Sequence, residues 1–272
     1  MYKVYKTGQE FLDENLDIIR KDPLGTTFFE GNANMISQCD ERNFAIRVDV
    51  GEKMLIAIQL DGYPMVIYGS EQATDELAKA VVENKLQFDR VIGYLDVTTG
   101  FLTRYERLVG GSHVVNLSMD VMYCKKVNPC DTSGVELPTA GDAEEIARLI
   151  VEFDWEAVRE ESDFDEVLQK VNNRINDYAV IRADGKIVSM CYRYVDSNLD
   201  RLSYVYTREQ YRNQGYSRKV VTYVTQSSLK SGHTPYLHVD QHNPVSNHLY
   251  VSIGYVYDKS RYEIAYIPSK MK

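Results

Sequence analysis

Arg212-Asn213-Gln214-Gly215-Tyr216-Ser217 is the stretch whose residue types best suit anion chemistry. It follows the apolar, β-branched run Leu202–Thr207, and a helical pattern begins at Tyr216. A strand that feeds a glycine turn at the start of a helix presents unpaired N–H groups at the positive end of the helix dipole. Gly215 lets the backbone approach a pyrophosphate closely, and Arg212 can add a charged hydrogen bond. The six letters alone carry little weight, because Arg107-Leu108-Val109-Gly110-Gly111-Ser112 has the same R-x-x-G-x-S spelling. There the glycines close a helical pattern and precede a strand, so carbonyls rather than N–H groups are exposed. Phosphate is therefore expected at Gly215 and not at Gly110.

A second constellation runs from Leu237 to Tyr250 (LHVDQHNPVSNHLY) and on to Gly254-Tyr255. It reads as a strand, then a helix entered at Asn243-Pro244 and ended by Gly254. Tyr250 is one of 21 tyrosines and stands out only through its register with Asn243 and Gly254. His238, His242 and His248 are spread over a strand and a helix without metal-ligand spacing, and are expected to be structural or surface residues. No metal site is expected. The segment Glu152–Glu166 is strongly acidic and holds the single tryptophan, Trp155. It can attract an ammonium group, with Trp155 giving a cation–π contact. The plainer reading is a solvated helix face with one buried ring.

These residues need elements to hold them. Strands are expected at Asn43–Val50, Lys53–Leu60, Met65–Tyr68, Arg90–Leu95 and Ser112–Cys124, with helices at Glu71–Leu86 and Thr98–Leu108. The later half repeats the style. Helices are expected at Asp142–Phe153 and Phe164–Ile175, and a hairpin joins Tyr178–Ala183 to Lys186–Val195 around Asp184-Gly185. A strand at Arg201–Tyr206, a helix at Tyr216–Lys230, a strand at Pro235–Asp240, a helix at Pro244–Ser252 and a strand at Tyr255–Ile267 complete the chain. Residues 127–138, with two prolines and a glycine, mark the junction. We expect two mixed α/β domains, 1–130 and 131–272, compatible with a distant duplication.

Composition narrows the functions. The 272 residues carry a net charge of −9, which repels phosphate backbones and argues against nucleic acid. Four cysteines without C-x-x-C spacing suggest reduced thiols. No apolar run is long enough to span a membrane, and residues 1–10 lack the apolar stretch of a signal sequence. A cytoplasmic location is expected.

Taken together, the two motifs resemble the GNAT superfamily of N-acyltransferases. Arg212–Ser217 matches the family's Q/R-x-x-G-x-G/A turn, with Ser217 at a position where glycine or alanine is usual. Leu237, Val239, Asn243, Ser246, Leu249, Tyr250, Gly254 and Tyr255 match its second motif. The wording is most similar to the branch with a GNAT-like N-terminal domain, and to glycine N-acyltransferases. The resemblance implies tandem GNAT-like mixed-sheet α/β folds, the first degenerate. It also implies transfer of the acetyl group of acetyl-CoA to a primary amine of a small molecule. Backbone groups of Val205 and Thr207 would pair with the pantetheine arm. Arg212, Asn213, Gln214, Gly215, Tyr216 and Ser217 would hold the pyrophosphate, and Asn243 and Ser246 the far end of the arm. Tyr250 would protonate the departing thiolate. Ser203 and Tyr204 stand where a carboxylate base is often found, which leaves Asp240, Glu156 or a water chain as candidates. An acyl-CoA sensor without turnover is the alternative.

Overall fold

The computed structural model describes residues 1–157, 159, 161–196 and 198–269. They form two compact units. The first holds Met1–Val121, Asp240–His242 and the chain from Lys259 onward; the second holds Met122–Val239 and Asn243–Asp258. Residues 127–138, where composition puts the junction, lie within the second unit. Among the described residues no helix is long and apolar enough to cross a membrane.

The first unit opens with β1 (Tyr2–Val4), α1 (Gly8–Lys21) and α2 (Phe29–Met35), followed by β2 (Phe44–Val50), β3 (Lys53–Gln59) and β4 (Met65–Gly69). Then come α3 (Thr74–Glu83), β5 (Arg90–Gly93), α4 (Leu95–Val109) and β6 (Ser112–Cys124), whose last residues pass into the second unit. Strands β1 to β4 pair antiparallel in sequence order, and β4 and β5 pair in parallel. The α1–α2 region is absent from the sequence expectations. Its signal is the N-cap Thr7, which accepts the Glu10 N–H at 3.0 Å, followed by the buried stripe Phe11, Leu12 and Ile19.

Alternation along β3 explains why this sheet reads as a continuous apolar run. Leu55 and Ala57 face the cluster under α3 and α4, with Leu77, Val81, Phe101 and Leu102. Ile56 and Ile58 face the opposite cluster under α1 and α2, with Phe11, Leu12 and Phe29. Both faces are covered, so neither parity of the strand can be polar.

The second unit contains β7 (Val135–Glu136), α5 (Ala143–Ala157), α6 (Phe164–Asn173), β8 (Tyr178–Ala183), β9 (Lys186–Asp196) and β10 (Leu199–Thr207). α7 (Tyr216–Lys230), β11 (Thr234–Asp240), α8 (Pro244–Ile253) and β12 (Tyr255–Ile267) follow. β7, β8, β9 and β10 pair antiparallel in order, and β10 pairs in parallel with β11. One face packs on α7 and α8 through Val188, Leu202, Val220, Val224, Leu237 and Tyr250. The other packs on α5 and α6 through Ile146, Ile150, Val171, Val180 and Met190. From Lys259, β12 belongs to the first unit, where Tyr262–Ala265 pair antiparallel with β5.

Each unit thus contains a parallel strand pair joined by a helix, β4–α3–β5 and β10–α7–β11. Only the second has a glycine turn before that helix. In the first, the opening turn of α3 carries Asp75 and Glu76, and the Arg104 Nε lies 2.8 Å from Asp75. A negatively charged first turn offers an anion nothing.

Candidate active site

The site grows from a defect in β10. Its parallel pairing with β11 covers Leu199–Thr234, Asp200–Pro235 and Arg201–Tyr236, and no pair continues it among the described residues. On the other side, Ser203 pairs with Tyr192 and Tyr206 with Met190. Two residues of β10, Tyr204 and Val205, therefore oppose Cys191 alone, which is a β-bulge. Tyr204 has φ 47°, in the left-handed region. The bulge shifts side-chain parity, so Leu202 and Val205, three residues apart, both touch the cluster under α7 and α8. Beyond Arg201 the two parallel strands separate, and β10 keeps backbone groups on the side that β11 has left.

The chain then turns through a short 3₁₀ segment, Glu209–Tyr211, into the glycine turn. Asn213 (φ 62°) and Gly215 (φ 80°) are left-handed, and Gly215 is the N-cap of α7. No side chain caps this helix. Its first helical bond is Lys219 N–H to the Gly215 carbonyl at 3.1 Å, so the amides of Tyr216, Ser217 and Arg218 have no intrahelical acceptor. A Cβ built on Gly215 meets nothing within 4 Å. An uncapped helix start opening onto free space suits a phosphate group. The other R-x-x-G-x-S stretch behaves as its context predicts. Gly110 ends α4 with its N–H on the Glu106 carbonyl at 2.7 Å, and Tyr266 donates to the Gly110 carbonyl at 2.8 Å.

α8 begins where the second motif predicts. The Asn243 Oδ1 accepts the Ser246 N–H at 3.0 Å, Pro244 occupies the first turn, and Gly254 (φ 118°) closes the helix. Tyr250 is buried in the apolar cluster that holds Leu202, Leu237 and Val239, against which Val205 and Tyr216 also pack, and its ring meets Tyr255 edge-on at 5.9 Å. Burial, reinforced by Cys191, pushes the Tyr250 phenol well above its ordinary range. Tyr250 thus shares one apolar cluster with Val205 of β10 and Tyr216 of α7.

Three comparisons with known proteins bear on this arrangement. The family described as FR47-like protein matches residues 181–264, a stretch containing the bulge, the glycine turn and α8. The GCN5-related N-acetyltransferase of Sphaerobacter thermophilus superposes with a TM-score of 0.65 at 14% identity, over 100% of this chain and 97% of its own. The fold is that of the GNAT superfamily. A GNAT-family acetyltransferase of Colwellia psychrerythraea gives a TM-score of 0.62 at 10% identity, over 99% of this chain and 100% of its own. A Drosophila protein gives 0.64 at 12% identity, over 97% and 98%. Among curated proteins none matches the chain.

Within this GNAT fold, several side chains have partners that their sequence positions do not reveal. Arg212 does not point freely out of the turn. Its Nη2 lies 2.7 Å from Glu156, its Nε donates to the Thr207 carbonyl at 3.0 Å, and its guanidinium sits 5.7 Å over the Tyr206 ring. Glu156 is correspondingly engaged and poorly placed to act as a free base. Glu152 accepts from Tyr206 and Arg208, each at 3.4 Å. Burial and the neighbouring Glu156 raise the Tyr206 phenol to about 12. Asp240 accepts the His242 N–H at 2.8 Å.

Trp155 is 55% exposed rather than buried, and Arg159 stands 5.9 Å over its ring. The chain's own cation takes the place expected for an ammonium ligand. Val158 and Glu160, in the same acidic segment, lie outside the described residues. His238 lies against Tyr236, His242 beside Asp240, and His248 is exposed, so the histidines do not converge. Ser217 is bonded inward, its Oγ 2.8 Å from the Thr207 Oγ1.

Proposed function

We propose that the second unit binds acetyl-CoA and transfers its acetyl group to a primary amine of a small molecule by direct attack. The observation that carries this reading is the separation of β10 from β11 beside the uncapped start of α7. Acetyl-CoA supplies an acyl group activated as a thioester. The first-turn amides of α7, together with the backbone of Asn213, Gln214 and Gly215, would hold its diphosphate. Backbone groups of Val205 and Thr207 would accept the pantetheine arm as an added strand, with N–H groups there stabilising negative charge on the carbonyl oxygen. Asn243 spends its Oδ1 on the helix cap, which leaves its amide NH₂ and the Ser246 side chain to meet the end of the arm.

Tyr250 would donate its proton to the departing sulfur. Its raised pKa keeps the phenol protonated throughout the neutral range. Because Glu156 is held by Arg212 and Asp240 accepts from His242, the amine would lose its proton to water. The same engagement of both carboxylates favours one second reading, an acyl-CoA sensor without turnover.

A thiol-release assay over a panel of amines, run beside calorimetric titration with CoA, tests both. Thiol release with at least one amine supports the transferase. CoA binding with no release across the panel supports the sensor, and no CoA binding overturns both.

A further inference from the structure

We propose that Ser189, Thr207 and Ser217 form a reversible hydroxyl relay, whose direction decides whether Ser217 can give a proton to a bound diphosphate. This rests on the acyl-CoA reading of the glycine turn. The three hydroxyls come from three elements: Ser189 from β9, Thr207 from the end of β10 and Ser217 from the first turn of α7. Ser217 and Thr207 oxygens lie 2.8 Å apart, as do those of Thr207 and Ser189. Ser189, fully buried, reaches the Tyr206 carbonyl at 3.1 Å.

Proton counting allows the linked hydroxyls two directions. The Tyr206 carbonyl can only accept, and the direction in which Ser189 gives it its single proton is taken as the resting one. Thr207 must then donate to Ser189, and Ser217 to Thr207. At rest, Ser217 therefore shows only lone pairs toward the turn, which is the wrong polarity for an anion. If all three hydroxyls rotate, Ser189 donates to Thr207, Thr207 to Ser217, and Ser217 outward. Reversal gives up the neutral bond to the Tyr206 carbonyl and gains a charge-assisted bond to phosphate. The charged bond is the stronger of the two, so a diphosphate shifts the relay outward and its absence lets the relay return. Ser189, walled off from any ligand, thereby tunes affinity by holding the resting direction. A plain staple between strand and helix would have the opposite sign, since cutting it would loosen the turn.

The test is calorimetric titration of the whole chain with CoA, referred to pantetheine, which has the arm but no diphosphate. Ser189→Ala frees the relay to rest outward, and the CoA-to-pantetheine affinity ratio is expected to rise by about three- to tenfold. Thr207→Val, nearly isosteric, cuts the relay at its centre and gives a rise as well, which covers the case of a poorly folding Ser189 variant. Ser217→Ala lowers the ratio by about tenfold. In that background Ser189→Ala has no further effect, because the two act as one unit. A lowered or unchanged ratio for Ser189→Ala, or the same rise with and without Ser217, overturns the relay while leaving CoA binding intact. A wild-type chain that binds no CoA overturns the functional reading beneath it.

Discussion

Replacing Gly215 by alanine separates the strain of the turn from its service to a ligand. Gly215 has φ 80°, and a Cβ there meets nothing within 4 Å. The folded protein thus suffers no clash, only the cost of a left-handed L-residue, about 1–2 kcal/mol. The apparent Tm should fall by about 2–4 °C. The methyl group, however, enters the open space that the diphosphate is proposed to fill. CoA affinity is expected to drop by more than about tenfold, because the backbone can no longer approach. Gly51 provides the control. It too is left-handed, at φ 59°, and a Cβ there also meets nothing within 4 Å, but it lies in the β2–β3 turn of the first unit. Gly51→Ala should lose similar stability and no CoA affinity. Differential scanning calorimetry and CoA titration on both variants decide the matter. Wild-type affinity in Gly215→Ala, or equal affinity losses in the two variants, refutes the placement of phosphate at this turn.

Tyr250→Phe should lower kcat by about 10²-fold with little change in CoA Kd, and unchanged turnover would remove Tyr250 from the chemistry. Because burial raises its pKa, the proton stays on the phenol as pH climbs. The wild-type kcat should therefore show no fall near pH 10, where an ordinary phenol ionises, and a falling limb centred there would contradict the buried phenol. Trp155→Ala and Glu156→Gln should leave acceptor KM unchanged, since Arg159 and Arg212 already occupy these groups; a severalfold rise in KM would restore them to the acceptor site. Glu156→Gln should cost no more than about 1 kcal/mol of stability, as expected for a partly exposed ion pair. A thiol reagent should label Cys39 and Cys130 in the native protein and reach Cys124 and Cys191, both buried, only on unfolding. Native labelling of Cys191 would show that the core beside Tyr250 opens readily.

The elements around the site were readable where punctuation is local. Asn243-Pro244 and Gly254 bracket α8 within twelve residues, and both ends act through their neighbours, as caps do. The two R-x-x-G-x-S stretches were told apart by the order of helix and strand alone. The β10 bulge left no such mark. Tyr204 takes the left-handed conformation that glycine or asparagine would have advertised, and only pairing with β9 reveals it. Arg212 and Glu156, or Ser189 and Thr207, meet across long stretches of chain, and nothing in their spacing announces it. Trp155 fails as a burial marker for the reverse reason: a large ring is no proof of a core when a nearby arginine can stack on it. α1 is signalled just as locally, by its Thr7–Glu10 cap and the apolar stripe Phe11, Leu12 and Ile19.

The path of β12 bears on how the protein is made. Strand β5 depends on Tyr262–Ala265 for its antiparallel neighbour, yet more than a hundred residues of the second unit are synthesised between them. At ribosomal speeds that interval is on the order of ten seconds. During it, the nascent first unit has an inner strand with one flank bare, the sort of edge that recruits stray partners. Native pairing there must await late translation, so cutting the gene at the midpoint would strand the N-terminal half in that unfinished condition.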